Sequence, residues 1–419
     1  MRTTAVILAG GRGTRSADPG TPKIAQRIDD RPLLQWHLDL LAESSIGEVL
    51  IVTGHLGDEV ALLVDAADTH NLSVRILHEE KPAGTVPALR LAADHTDAGA
   101  FLVILGDVWA SFPVDSFLRA WQRSGKDVAA IVHPSLHPHD SDAVIPQSDG
   151  TVNVVSKKQR NEDASRVLIR NMSATGVFAL NRTAAQHSGD ATDIGSDLLA
   201  QAAARHALFV FISSHYFKDT GTPDRLDKAR QEWNSGTFAR RGSLSPRAGL
   251  ILDRDGVINP ALPEVYEPGS MTLLPGVAAQ IANANALGIP VLVATNQPGL
   301  AKGFMTEADH EAIRAQLDEL LIAEGAFVDD YAYCPHHPES GFPHEVAELK
   351  VLCACRKPEP GMLLHLISHH ALDPSLSLMV GDSERDQGAA QAAGVRFSRV
   401  TDQHPVDAII GEAVKELAC

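Results

Sequence analysis

Leu250-Ile251-Leu252-Asp253-Arg254-Asp255-Gly256-Val257-Ile258-Asn259 is an apolar run that ends in two carboxylates, two residues apart, and a glycine turn. Residues two apart on a strand share a face, and a turn beginning at Asp255 lets its side chain swing while both acids stay near one point. One carboxylate can then attack while the other moves protons. Taken alone, the stretch reads equally well as a strand ending in an ordinary Asp-Gly turn. Three downstream segments, in a fixed order, give it meaning. Val291-Leu292-Val293-Ala294-Thr295-Asn296 is a second buried run ending in a hydroxyl, Arg356-Lys357-Pro358 supplies cations, and Leu378-Met379-Val380-Gly381-Asp382 is a third run ending in an acid. In a parallel α/β sheet the ligand crevice lies outside the carboxyl ends of the strands, so groups placed where strands stop converge there.

A chain of 419 residues with 44% apolar and 21% charged residues has room for two globular domains. The formal net charge is −17 and the sequence pI near 5.5. Such an acidic chain is not expected to bind nucleic acid or anionic membrane, and any phosphate site must be built from local cations. The opening Ala5–Ala9 run is too short for a signal-peptide core or a membrane span. A cytoplasmic protein is expected. Glu232–Ala248 is rich in Ser, Gly and Arg, and Ser245-Pro246 breaks any helix before the Asp253 strand. The expected domains are therefore residues 1–241 and 242–419, with the oligomeric state left open.

In the first half, Thr3–Ala9 reads as a buried strand that feeds Gly10-Gly11-Arg12-Gly13-Thr14-Arg15, a basic glycine loop whose amides can face an anion. The third glycine of a dinucleotide-binding turn is missing at its usual offset, and Arg15 and Lys23 add charges such a turn does not need. Strand and helix patterns then alternate through Leu105, which predicts a second parallel sheet. In the second half, Cys334-Pro335-His336-His337 and Cys353-Ala354-Cys355 bracket a loop rich in Gly, Pro and Glu. Cys334, His336, Cys353 and Cys355 form a ligand set suited to tetrahedral structural zinc, with His337 as the alternative to His336. A pinned loop would hold Arg356 and Lys357 over the phosphate site.

These motifs resemble two families. Residues 249–400 resemble the haloacid dehalogenase superfamily of aspartate-nucleophile phosphatases. That likeness implies Asp253 as nucleophile, Asp255 as acid–base, Thr295 and Lys357 on the phosphoryl group, and Mg²⁺ at Asp253, the Asp255 carbonyl and Asp382. Asp253–Asn259, Thr295-Asn296-Gln297, the zinc loop and Cys355-Arg356-Lys357-Pro358 narrow it to the D-glycero-D-manno-heptose 1,7-bisphosphate phosphatases and the related histidinol phosphatases. Asn296, Lys302 and Arg356 are then substrate contacts; Lys302 stands where relatives often carry Arg. Residues 3–235 resemble the sugar-1-phosphate nucleotidyltransferases. Here Gly10, Gly11, Gly13, Thr14, Arg15, Gly84 and Thr85 are implied nucleotide contacts, with Arg15 and Lys23 on the triphosphate. Asp107 and Asp219 are implied Mg²⁺ ligands, and Lys158 and Gly176 sugar-phosphate contacts. The resemblances imply two doubly wound α/β domains, the first GT-A-like and Rossmann-like, the second a haloacid-dehalogenase-like Rossmannoid domain with a zinc loop. A phosphatase leaving a sugar 1-phosphate, fused to a transferase consuming one, suggests consecutive steps on heptose; the first half then resembles the heptose 1-phosphate guanylyltransferases, with GTP the favoured donor. A histidinol phosphatase fused to another nucleotidyltransferase, and a phosphatase with a degenerate regulatory first half, stay open.

Overall fold

The computed structural model describes residues 2–11, 20–54, 56–162, 169–262, 264–401 and 403–418, with the side chains of 160–162 excepted. The chain divides into two compact units. The first comprises the described residues of Met1–His133, His139–Ala164 and Met172–Phe238; the second comprises those of Pro134–Pro138, Ser165–Asn171 and Ala239–Cys419.

The first unit is built on the Thr3–Leu8 strand, flanked in parallel by Glu48–Thr53 and Ala100–Leu105, with Ser73–His78 beyond Glu48–Thr53. The three inner strands are buried on both faces because helices cover both faces, whereas the edge strand Ser73–His78 is partly exposed. Leu33–Ala42 shows the pattern that covers them: Leu34, Leu38 and Leu41, at helical spacing, are buried in the core. The strands through Leu105 pair in parallel as expected, but the sheet continues beyond them and is not parallel throughout. Ser173–Asn181 runs antiparallel against both Ala100–Leu105 and Val128–His133, so the nine-stranded sheet is mixed. A strand buried on both faces looks apolar whichever way its neighbour runs, so pairing direction was not encoded in the run itself.

The second unit holds a five-stranded parallel sheet in the spatial order Asp330–Cys334, Val291–Asn296, Leu250–Leu252, Leu378–Gly381, Arg396–Arg399. The three runs picked out in the sequence are its three central strands. Leu250, Leu252, Val291, Val293, Leu378 and Val380 are buried on one side, and Ile251, Leu292, Ala294 and Met379 on the other. Their chemistry-bearing ends therefore emerge side by side at one edge.

Candidate active sites

Asp253 leaves the central strand with its amide bonded to Val380 O at 3.0 Å, which ties it to the neighbouring strand end. Lys357, 2% exposed, lies 2.8 Å from Asp253 Oδ1, 2.6 Å from Asp386 Oδ1 and 2.8 Å from Ala294 O. Burial alone would depress the Lys357 ammonium, but Asp253 and Asp386 outweigh it and hold it above its ordinary value. Burial pushes the Asp253 carboxyl up, with Lys357 pulling against it. Asp386 begins the Glu384–Ala392 helix, where its Oδ2 accepts from Ser383 N at 3.0 Å and Ser383 Oγ at 2.6 Å. That cap aims the other carboxylate oxygen at Lys357. Gly256 is at φ +85, and a Cβ there would lie 2.1 Å from Asp382 Oδ2. Only glycine lets the turn pass this close to the acid.

Asp255 turns its carboxylate onto donors. Arg254 forks onto it, with Nη2 2.8 Å from Oδ1 and 2.9 Å from Oδ2. Asn259 Nδ2 and Gln297 Nε2 each add a bond of 2.9 Å, and Gln297 Nε2 also reaches Thr295 Oγ1 at 3.0 Å. Arg254, Asn259, Gln297 and Asp386 were not among the site residues read from sequence. Asn296 was read as a substrate contact; its amide is engaged with the Lys357 backbone, accepting from Lys357 N at 3.0 Å and donating to Lys357 O at 3.1 Å.

Asp253, Asp382 and Asp386 each bring a carboxylate oxygen within 4.8 Å of the others. Three hard oxygen donors at that spacing suit Mg²⁺, which binds oxygens at about 2.1 Å. Cys334, His336, Cys353 and Cys355 form a second cluster. Cys355 Sγ lies 3.3 Å from Cys334 Sγ, Cys353 Sγ and His336 Nδ1, and Cys334 Sγ lies 3.6 Å from Cys353 Sγ and His336 Nδ1. A tetrahedron with such edges has its centre roughly 2.0–2.2 Å from each corner, against roughly 2.0–2.3 Å for zinc to nitrogen and sulfur. The cluster can hold such a metal. His337 is not part of the cluster, and its Nδ1 lies 3.3 Å from Glu339 O. Arg356 is bound to this loop through His336 O at 3.1 Å, and Lys302 Nζ stands 5.1 Å from the centre of the Phe342 ring.

In the first unit, Lys23 Nζ lies 2.6 Å from Asp107 Oδ2. Asp107 O accepts from Thr220 N and Oγ1, both at 2.8 Å, and Gly221 N donates to Asp219 Oδ1 at 2.7 Å. A Cβ built on Gly221 would stand 2.8 Å from Asp107 Oδ2, 3.0 Å from Asp219 Oδ1 and 3.1 Å from Lys23 Nζ. Two carboxylates and an ammonium thus meet around one glycine, and such a set can hold a divalent cation beside a phosphate chain. Gly10 and Gly11 sit just past the central strand. Gly13, Thr14 and Arg15 lie outside the described residues. Thr85 Oγ1 donates to Asp193 Oδ2 at 3.1 Å and accepts from Ile194 N at 2.8 Å, so its hydroxyl is held by the 192–194 segment. Gly176 adopts φ +87 against Val108 and Leu105, and Lys158 is exposed.

The fold and the relatives of each half define an enzyme that joins a phosphatase to a nucleotidyltransferase. Residues 5–177 match the MobA-like NTP transferase domain, and residues 354–405 match a HAD-hydrolase-like family. D-glycero-beta-D-manno-heptose-1,7-bisphosphate 7-phosphatase of Rhodopseudomonas palustris is 36% identical over 175 residues, 42% of this chain and 94% of that protein. Through its second half the chain belongs to that phosphatase family. Among solved structures, D,D-heptose 1,7-bisphosphate phosphatase from B. bronchiseptica, complexed with magnesium and phosphate, is 32% identical over 40% of this chain and 99% of that one, with a TM-score of 0.35. HddC from Yersinia pseudotuberculosis, complexed with GMP-PN, is 22% identical over 55% of this chain and 99% of that one, with a TM-score of 0.46. No described helix is long and apolar enough to cross a membrane.

Proposed function

We propose that this enzyme carries out two consecutive steps of nucleotide-activated heptose formation. Residues 242–419 remove the 7-phosphate of D-glycero-D-manno-heptose 1,7-bisphosphate, and residues 1–241 join the resulting heptose 1-phosphate to a nucleotide from NTP, releasing pyrophosphate. The observation that carries the phosphatase reading is the buried Lys357 between Asp253 and Asp386 at the strand ends. Membership of the heptose bisphosphate phosphatase family supplies the substrate.

Asp253 attacks the 7-phosphorus and forms an aspartyl-phosphate while the bond from phosphorus to the sugar oxygen breaks. Asp255 gives that oxygen its proton. Water then attacks the same phosphorus, Asp255 takes the water's proton, and Asp253 is freed as inorganic phosphate leaves. Lys357 and Thr295 hold the transferring group; Arg356 and Lys302 contact the rest of the substrate. Asp253, Asp382 and Asp386, with the Asp255 carbonyl, would hold Mg²⁺, which supplies positive charge against the developing charge on phosphorus. Cys334, His336, Cys353 and Cys355 would hold structural zinc.

In the first unit, a sugar phosphate attacks the α-phosphorus of NTP, a meeting of two anions that needs cations rather than a protein nucleophile. Lys23 and Arg15 meet the triphosphate, Asp107 and Asp219 would hold Mg²⁺, and Gly10, Gly11, Gly13, Thr14, Gly84 and Thr85 frame the nucleotide. Lys158 and Gly176 lie on the sugar side. GTP is the donor favoured by the sequence resemblance to heptose 1-phosphate guanylyltransferases. A cytoplasmic location belongs to this reading, supported by thiols arranged for a metal rather than for disulfides and by the proposed use of NTP.

The deciding assay supplies heptose 1,7-bisphosphate and histidinol phosphate to the phosphatase, and four NTPs with each anomer of heptose 1-phosphate to the transferase. Release of phosphate from the heptose bisphosphate, and pyrophosphate from GTP with heptose 1-phosphate, is expected. Turnover of histidinol phosphate alone would overturn the heptose reading, and absence of pyrophosphate with every NTP would make the first unit a nucleotide-binding regulator.

A further inference from the structure

Arg254 sits between the two acids of the opening motif, where it reads as a spacer. Successive strand residues point to opposite faces, so Arg254 should turn away from both. Instead the tight turn after it, with Ile258 N bonded to Arg254 O at 2.8 Å and Gly256 N to Asn259 O at 2.7 Å, brings Asp255 back over the Arg254 side chain. Arg254 is 1% exposed, and its guanidinium meets the carboxylate along one edge: Nε to Oδ1 at 3.1 Å, Nη2 to Oδ1 at 2.8 Å and to Oδ2 at 2.9 Å. Nη1 faces Tyr331 Oη at 3.5 Å. The Asp255 side chain remains 30% exposed, so it is fixed from behind and open in front.

We infer that Arg254 is a positioning residue for the proton transfers of the phosphatase, acting by fixing the plane and rotation of the Asp255 carboxylate. The inference rests on the proposed role of Asp255 as acid–base. A side chain that must meet a leaving oxygen in the first step and a water in the second needs its donor oxygen held within about 0.5 Å and 10–20°. A carboxylate on two rotatable bonds has no such constraint of its own. A planar guanidinium contacting both carboxylate oxygens supplies it, and an ammonium, being a point charge, does not. Gln297 completes the arrangement, since its Nε2 touches both Asp255 Oδ2 and Thr295 Oγ1 and so sets the acid–base in register with the phosphoryl site.

The test is the dependence on the leaving group. A sugar alkoxide leaves poorly and needs the proton; p-nitrophenolate leaves readily without it. Arg254→Met keeps the length of the stem and removes the fork. With enzyme in excess, so that the first turnover reads the leaving-group step and not the water step both substrates share, formation of the sugar 1-phosphate from heptose 1,7-bisphosphate should slow on the order of 10²-fold, the lower end of what acid–base help contributes, while p-nitrophenolate is released at close to the parent rate. Arg254→Lys, which keeps the buried charge, should show the same selectivity in weaker form. It also serves if the Met variant folds poorly, because the ratio of two rates on one preparation does not depend on the folded fraction. If Arg254 merely supports the strand end, both substrates slow together and the ratio stays at the parent value, which overturns the inference. Asp255→Asn is measured in parallel. An unselective loss there would instead overturn the acid–base reading of Asp255, whereas selectivity in Asp255→Asn without selectivity in either Arg254 variant would refute the role of Arg254 alone.

Discussion

Replacing Lys357 with Met should destabilise the second unit far more than loss of a surface lysine would. Lys357 Nζ is 2.8 Å from Asp253 Oδ1 and 2.6 Å from Asp386 Oδ1, and the side chain is 2% exposed. At an effective dielectric near 20, unit charges this close attract by roughly 6 kcal/mol per pair. Desolvation of the three charges cancels much of that, and removing one partner of a buried pair costs about 3–5 kcal/mol because it strands the other. For a unit of this size, at about 2–4 °C per kcal/mol, the transition should fall by roughly 6–20 °C. Calorimetry of the full chain without added magnesium reads this on the transition that Asp253→Asn also moves. Asp386→Asn in the Lys357→Met background removes one stranded carboxylate, so the double variant should melt higher than Lys357→Met alone. A fall of less than about 2 °C, or a double variant less stable than the single one, would refute the view that these three buried charges act as one set.

The purified chain should carry stoichiometric zinc; Cys353→Ser should lose it by metal analysis and lower phosphate release, through loosening of Arg356 and Lys357, while pyrophosphate formation continues. The two activities should separate by mutation: Asp253→Asn should abolish phosphate release and leave nucleotidyl transfer, and Asp107→Ala should do the reverse. Loss of both from either change, with the transition of the unmutated unit unaltered, would disprove independent sites. Glu48 is buried, which pushes its carboxyl up, but bonds from Thr4, Thr96 and Arg75 and the charge of Arg2 outweigh burial and hold it below the usual carboxylate range. Its stabilising contribution is therefore present above the unfolded carboxylate value and lost as pH falls through the folded one. Glu48→Gln should flatten the acid limb of first-unit stability below the ordinary carboxylate range and reduce stability near neutrality, read by melting against pH.

The strand ends of the phosphatase site were legible because strands buried on both faces read as unbroken apolar runs, so the first polar residue after each run marks its carboxyl end to within two residues, Thr295 and Asn296 still being paired with Tyr333 and Cys334. The clustering of Cys334, His336, Cys353 and Cys355 was legible from spacing alone, since a loop poor in apolar residues has little else to hold it. Side-chain direction was not read from the runs, and the adjacent amides Asn296 and Gln297 illustrate the consequence. Asn296 was read as the substrate contact, yet it clamps the Lys357 backbone, while Gln297 faces Asp255 and Thr295. The period of two carried that information: residues two apart share a face, so Thr295 at a phosphoryl site brings Gln297 with it and turns Asn296 to the other side. Asp386 is a harder case. Ser383 and Asp386 read as an ordinary helix start, and locally they are one. The cap fixes one carboxylate oxygen and thereby the direction of the other, but that direction becomes chemistry only because Lys357, from a loop 29 residues earlier in the chain, arrives at 2.6 Å. A local rule sets the orientation and a tertiary contact sets the charge, so the residue looks commonplace in sequence although it shares the buried lysine with Asp253.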